Sequence, residues 1–99
     1  MISSKQRAYL RGLANKENAI FQIGKGGITD ELIKELDVVL EKRELIKITI
    51  LETAFMTTRG ACEALCEKLC AEPVQCIGNK TVIYRMAREK ENRKIVLPK

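Results

Sequence analysis

Apolar residues recur along this chain in two rhythms, one helical and one extended. From residue 3 to 14 the spacing is helical. At about 100° per residue, Gln6, Tyr9, Leu10, Leu13 and Ala14 share one face. Ser3 or Ser4 stands where a cap is needed. Arg7 and Arg11, four positions apart, project together from another side. Asn15-Lys16-Glu17-Asn18 is polar and reads as a connector, and Ala19-Ile20-Phe21-Gln22-Ile23 predicts a short buried strand. Gly24-Lys25-Gly26-Gly27 must then be a turn, because no regular element tolerates three glycines in four positions.

Thr29 caps a second predicted helix, Asp30 to about Lys42, whose Leu32, Ile33, Leu36, Val39 and Leu40 form one apolar stripe. Ile28 and Ile33 suit a hydrophobic staple across its start. Asp30, Glu31, Glu35, Asp37 and Glu41 fall on the opposite, acidic side, which is expected to face solvent. Leu45 to Leu51 is rich in β-branched residues and predicts a strand. Residues 52–57 show no period. Thr58 to Cys70 predicts a third helix with Cys62, Leu65 and Leu69 inward, flanked by Ala61 and Cys66. Pro73 opens a strand through Ile77, Gly78-Asn79-Lys80 turns the chain, and Thr81 to Arg85 pairs back. The predicted order is α-β-α-β-α-β-β. The expected class is α+β, one compact domain with a four-stranded mixed sheet and helices packed on it.

Composition narrows the function. The chain has 99 residues, a formal net charge of +5, four cysteines and no histidine or tryptophan. One domain is expected over residues 1–99, with 86–99 as a basic tail. A composition 45% hydrophobic and 31% charged fits neither a disordered nor a membrane chain. The start, Met1-Ile2-Ser3-Ser4-Lys5, turns polar at once and carries no signal-peptide apolar region. A cytoplasmic setting with reduced thiols is the expectation. The missing histidine removes Ser–His and Cys–His nucleophile pairs, histidine-ligated metals and imidazole switches. Charge is uneven: residues 1–28 carry five basic and one acidic side chain, and 79–99 carry seven and two, whereas 29–44 carry three and six. A basic face for a polyanion follows better than a uniformly basic surface.

The glycine turn is the best candidate for chemistry. It joins a strand to a helix N-terminus, where free N–H groups favour an anion and glycine admits close approach. Lys25 adds a positive charge. A P-loop needs Lys-Ser/Thr after its last glycine, but Ile28-Thr29 follows here. The dinucleotide fingerprint would need glycine at 29. Asp30 and Glu31 would also repel a dense triphosphate more than a single phosphodiester. The G-x-x-G spacing matches the loop with which KH domains clamp a nucleic-acid backbone.

Taken in order, Ser4-Lys5-Gln6-Arg7 with Leu10-Arg11-Gly12-Leu13-Ala14, Ile23-Gly24-Lys25-Gly26-Gly27-Ile28-Thr29, Glu44 to Ile48, Val74 to Gly78, Val82 to Arg85 and Lys94 to Pro98 resemble the YhbY family. That family is the single CRM (chloroplast RNA splicing and ribosome maturation) domain. The resemblance implies a fold similar to the C-terminal domain of translation initiation factor three. It also implies association with precursors of the large ribosomal subunit, as in bacterial members, where plant relatives act in group II intron splicing. It implies an RNA-contacting loop, here Gly24, Lys25, Gly26 and Gly27. Residues 52–59 depart from the bacterial pattern, and the cysteines are not a family requirement.

Cys62, Cys66 and Cys70 repeat by four with Cys76 beyond, which is not the C-x2-C spacing of a zinc knuckle, and buried thiols serve as small apolar groups. The tail residues Arg85, Arg88, Lys90, Arg93, Lys94 and Lys99 suit either a solvated end or extra phosphate contacts. Tyr9 and Tyr84 are candidate base-stacking groups, although Tyr9 reads as core. The expected RNA-binding residues are therefore Gly24, Lys25, Gly26 and Gly27, with Lys5, Arg7 and Arg11 from the first helix and Arg85 and Arg88 from the tail. No catalytic residue, metal, cofactor, small-molecule substrate or membrane partner is expected, and a monomer is. The function this supports is a non-enzymatic RNA-binding protein. The alternative is an adaptor that reaches the ribosome through protein contacts made by helix 30–42 or the tail. An RNA-modifying or phosphotransfer enzyme lacks a carboxylate pair, a nucleophile–base pair or a metal motif.

Overall fold

The computed structural model describes residues 2–99; Met1 lies outside the described residues. Three helices and four strands alternate as the sequence predicts: α1 Ser4–Ala14, β1 Phe21–Ile23, α2 Asp30–Arg43, β2 Leu45–Ile50, α3 Thr58–Leu69, β3 Glu72–Ile77 and β4 Lys80–Tyr84. Short 3-10 turns occupy Glu52–Ala54 and Lys90–Asn92. Each α-helix starts on a hydroxyl cap. Ser3 and Gln6 bond reciprocally around the start of α1, Thr29 accepts from Leu32 N–H, and Thr57 accepts from Gly60 N–H.

The sheet order is β1-β2-β4-β3. Phe21 lies opposite Ile48 in a parallel pair, and β4 runs antiparallel to both β2 and β3. Alternation along β2 sends its side chains to two cores. Ile46, Ile48 and Ile50 join Leu36 and Leu40 of α2 and Leu65 and Leu69 of α3 on one face. Leu45 joins Leu10 and Ala14 of α1, Val74, Val82 and Tyr84 on the other, with Ile95 and Leu97 closing the edge. The molecule is thus a sheet between α1 on one side and α2 with α3 on the other.

The differences from the sequence reading have local causes. Ile20 is outside β1, its N–H reaching Lys47 O while its side chain is exposed. β3 starts one residue earlier and contains Pro73; it is an edge strand, where a missing N–H disturbs little, and the register shifts between Pro73 and Gln75. Tyr9, read as core, is 43% exposed, whereas Tyr84 is buried, because Leu10 and Ala14 take the contact line of α1.

The acidic side of α2 does not simply face solvent: it holds the segment after β4. Glu44, fully buried in a left-handed backbone conformation, accepts from Ala87 N–H at 2.8 Å, Lys94 N–H at 2.7 Å and Ile95 N–H at 3.0 Å. Glu41 accepts from the N–H groups of Arg88 and Glu89 and from the Asn92 amide.

Candidate nucleic-acid interface

β1 ends at Ile23, and the chain reverses at once: Gly27 N–H donates to Gly24 O at 2.9 Å. Neither Lys25 nor Gly26 has positive φ, so this is a type I turn rather than type II. The three glycines have three different reasons. A Cβ on Gly24 would come within 3.3 Å of Thr53 Oγ1 and 3.4 Å of Leu51 Cδ1, so close packing favours glycine there. Gly27 has φ +66°, where a side chain is strained. Gly26 has an ordinary φ and nothing within 4 Å of an added Cβ. Neither backbone nor packing requires a glycine at 26. What glycine leaves there is bare backbone open to something outside the chain.

The loop is rich in unused donors. Among the described residues, the N–H groups of Lys25, Gly26 and Ile28 find no acceptor in the chain. Gly27 N–H, in contrast, is consumed by the turn itself. Lys25 is exposed and is the only ionisable side chain among the four turn residues. Thr29 begins α2 directly afterwards, so the positive end of that helix lies beside the turn, offset by Asp30 and Glu31 in its first turn. The arrangement suits one phosphate held by backbone donors.

A second wall stands beside the loop. Leu51 N–H donates to Ile23 O, and residues 52–57 pack against the glycines through Thr53 and Met56, the Met56 methyl 3.8 Å from a Cβ on Gly27. Phe55 closes the 3-10 turn at φ +51° and is 91% exposed. Thr58 Oγ1 donates to Gly78 O at 2.7 Å, tying the start of α3 to the β3–β4 turn. Ile50 N–H reaches Asn79 O at 2.6 Å, so that turn lies at the same end of the sheet. Arg59 and Lys80 are exposed there. Sequence reasoning missed Phe55. The available signal was an aromatic residue in a stretch with no apolar period to bury it.

The remaining predicted residues divide. α1 lies on the sheet face opposite α2, with Lys5 and Arg11 exposed. Arg7 Nε donates to Pro73 O at 3.0 Å. Pro73 is three strands from β1 and four rows below Ile50, about 14 Å across and about 13 Å along the sheet. The basic helix is therefore not adjacent to the loop, because the chain crosses the sheet between them. A shallow groove along the β3 edge, lined by Arg7, Arg59, Glu63, Pro73 and Gln75, connects the two regions.

Arg85 is a correction. Its side chain is buried, with Nη1 on Asp37 Oδ1 at 2.7 Å and on Leu69 O, and Nη2 on Asp37 O. Both terminal nitrogens have internal acceptors, so it offers nothing to a phosphate. Arg88 is more exposed, but it too bonds Asp37, at 2.9 Å. Arg88 and Arg85 hold the Asp37 carboxyl below its ordinary range. Hydrogen bonds from Asn92, Arg88 and Glu89 bring Glu41 down to about 2.

The family model for the CRS1/YhbY (CRM) domain matches residues 2–85, a span that includes the glycine loop, all three helices and all four strands. The chain belongs to the CRS1/YhbY (CRM) domain family. A Bacillus subtilis protein named "Probable RNA-binding protein YqeI" is 41% identical over 98 residues, covering 99% of this chain and all of that one. A Haemophilus influenzae protein named "RNA-binding protein" is 33% identical over 98 residues, covering 99% of this chain and 96% of that one. The solution structure of the Staphylococcus aureus protein SAV1595 superposes with a TM-score of 0.75 at 41% identity, over 99% of this chain and all of that one. This CRM domain shares its fold with SAV1595, in keeping with the predicted α+β order.

Proposed function

We propose that this CRM-domain protein binds RNA and performs no chemistry on it, and that the Gly24–Gly27 turn takes the RNA backbone. The observation that carries the reading is Gly26: an open position, ordinary backbone, and unused N–H groups on Gly26 itself and on Lys25 before it. Lys25 supplies the charge. The names of the two relatives support RNA as the polyanion. Ribosomal RNA in a large-subunit precursor is the target that the family resemblance favours, and the protein acts there as an assembly factor. Arg59 and Lys80 extend the cationic end, and the β3-edge groove leads from Arg59 to Arg7.

Gly26→Ala is the discriminating variant, because it leaves the fold unstrained. Affinity for ribosomal RNA should fall about tenfold, in line with the loss of one charge-assisted contact worth about 1.5 kcal/mol. Unchanged affinity, with the variant folded, would remove the loop from the interface. An adaptor reading loses much of its surface, since Asp37 and Glu41 are engaged by the protein's own chain. RNase treatment of lysate separates the two: association with ribosomal particles should vanish if RNA is the contact, and persist if protein is.

A further inference from the structure

Among the described residues Phe55 is the most exposed of the large apolar side chains, at 91%, and it lies well inside the chain. Its N–H donates to Glu52 O at 3.1 Å, and its φ of +51° is a conformation that L side chains rarely adopt. The backbone therefore holds an apolar ring out in water in an unfavourable geometry, a combination characteristic of functional sites. Thr53, two residues before Phe55, faces Gly24, and Met56, the residue after it, faces Gly27. The ring thus stands on the wall beside the turn, within reach of the nucleotide next to a phosphate bound there. The turn that this wall faces carries the exposed Lys25.

We propose that Phe55 is a stacking platform for one unpaired base of the strand whose backbone lies in the Gly24–Gly27 turn. This rests on the RNA-binding reading above. An exposed aromatic ring offers a flat apolar face, which every base can cover, so the subsite selects unpaired over duplexed nucleotides more than it selects sequence. A protein partner would need an apolar surface that also carries negative charge to meet the lysine of the turn. A nucleic-acid strand supplies both the apolar face and the phosphates.

The chain has no tryptophan, so Phe55→Trp places the variant's single indole at the site, excited selectively over Tyr9 and Tyr84. A single-stranded RNA decamer titrated into this variant should quench its fluorescence, and a duplex of the same sequence should not. Phe55→Ala should bind the single strand about 5- to 150-fold more weakly, with an unchanged salt slope, because the ring carries no charge. Phe55→Trp should keep the parent affinity. If Gly26→Ala weakens binding while Phe55→Ala does not and Phe55→Trp is unquenched, the stacking role is wrong and the backbone clamp stands. If neither Gly26→Ala nor Phe55→Ala alters binding, both readings fall. If the indole fluorescence of Phe55→Trp responds to protein concentration and not to RNA, the ring is a contact between copies, and the proposal is overturned.

Discussion

Glu44 follows α2 at a position where helices commonly place glycine, because the backbone there is left-handed. Its carboxylate explains the exception: three N–H groups of the returning chain converge on it. Glu44→Gly would relieve about 1 kcal/mol of backbone strain but strand those donors, at about 1–3 kcal/mol for each that stays buried. We expect a net destabilisation of about 2–4 kcal/mol, read as a fall in the urea midpoint. A variant as stable as the parent would mean that the carboxylate does not hold the tail. The same reasoning separates the glycines of the loop. Gly27→Ala should cost about 1 kcal/mol of stability through its positive φ, whereas Gly26→Ala should cost almost none. Glycine is legible in the sequence as a turn former. Which glycine serves conformation, which packing and which neither depends on Thr53 and Met56, far along the chain.

At the scale of elements, helix and strand positions follow from apolar spacing, and α2 and α3 differ from the reading by one residue at their ends. The contact between α2 and the tail was not legible. Asp37 and Glu41 have the spacing of a solvated helix face, and the residues that cover them lie about fifty positions later. Arg85 has the look of a free cation in the sequence for the same reason: nothing local shows that Asp37 and Leu69 O will meet it. The latch has an acid sensitivity of definite sign. Asp37 and Glu41 are lowered on folding, so their contribution is complete above their ordinary values and fades as pH falls through the folded ones. For Glu41 the window runs from 4.5 to about 2. The amide protons of Arg88 and Glu89 should stay protected at about pH 5 and lose protection toward about pH 2, followed by hydrogen exchange. Protection already lost above that window would contradict this origin. Arg88→Ala removes one exposed pair, so it should barely move the urea midpoint and leave RNA affinity unchanged.

Across the whole molecule, the sheet separates two cationic regions that the sequence reading joins. Basic residues cluster at both chain ends, but the chain path sends α1 to one face and the glycine loop to the end of the sheet beside α2. Part of the terminal charge is then neutralised internally by Asp37. Lys25, Lys80 and Phe55 remain exposed at the loop end, and Arg59 lines the groove along the β3 edge. Family membership and topology were readable from ordered motifs. The make-up of this surface was not, since residues 52–57 have no periodicity and acquire meaning only against the loop. The most direct test is an amide NMR titration of the 15N-labelled protein with ribosomal RNA fragments. The N–H signals of Lys25, Gly26 and Ile28 should shift first and furthest, with Gly27 moving less because its proton is already bonded to Gly24 O. If those signals stay in place while the shifts gather on α1 or on the tail, the backbone clamp is not where this protein holds RNA.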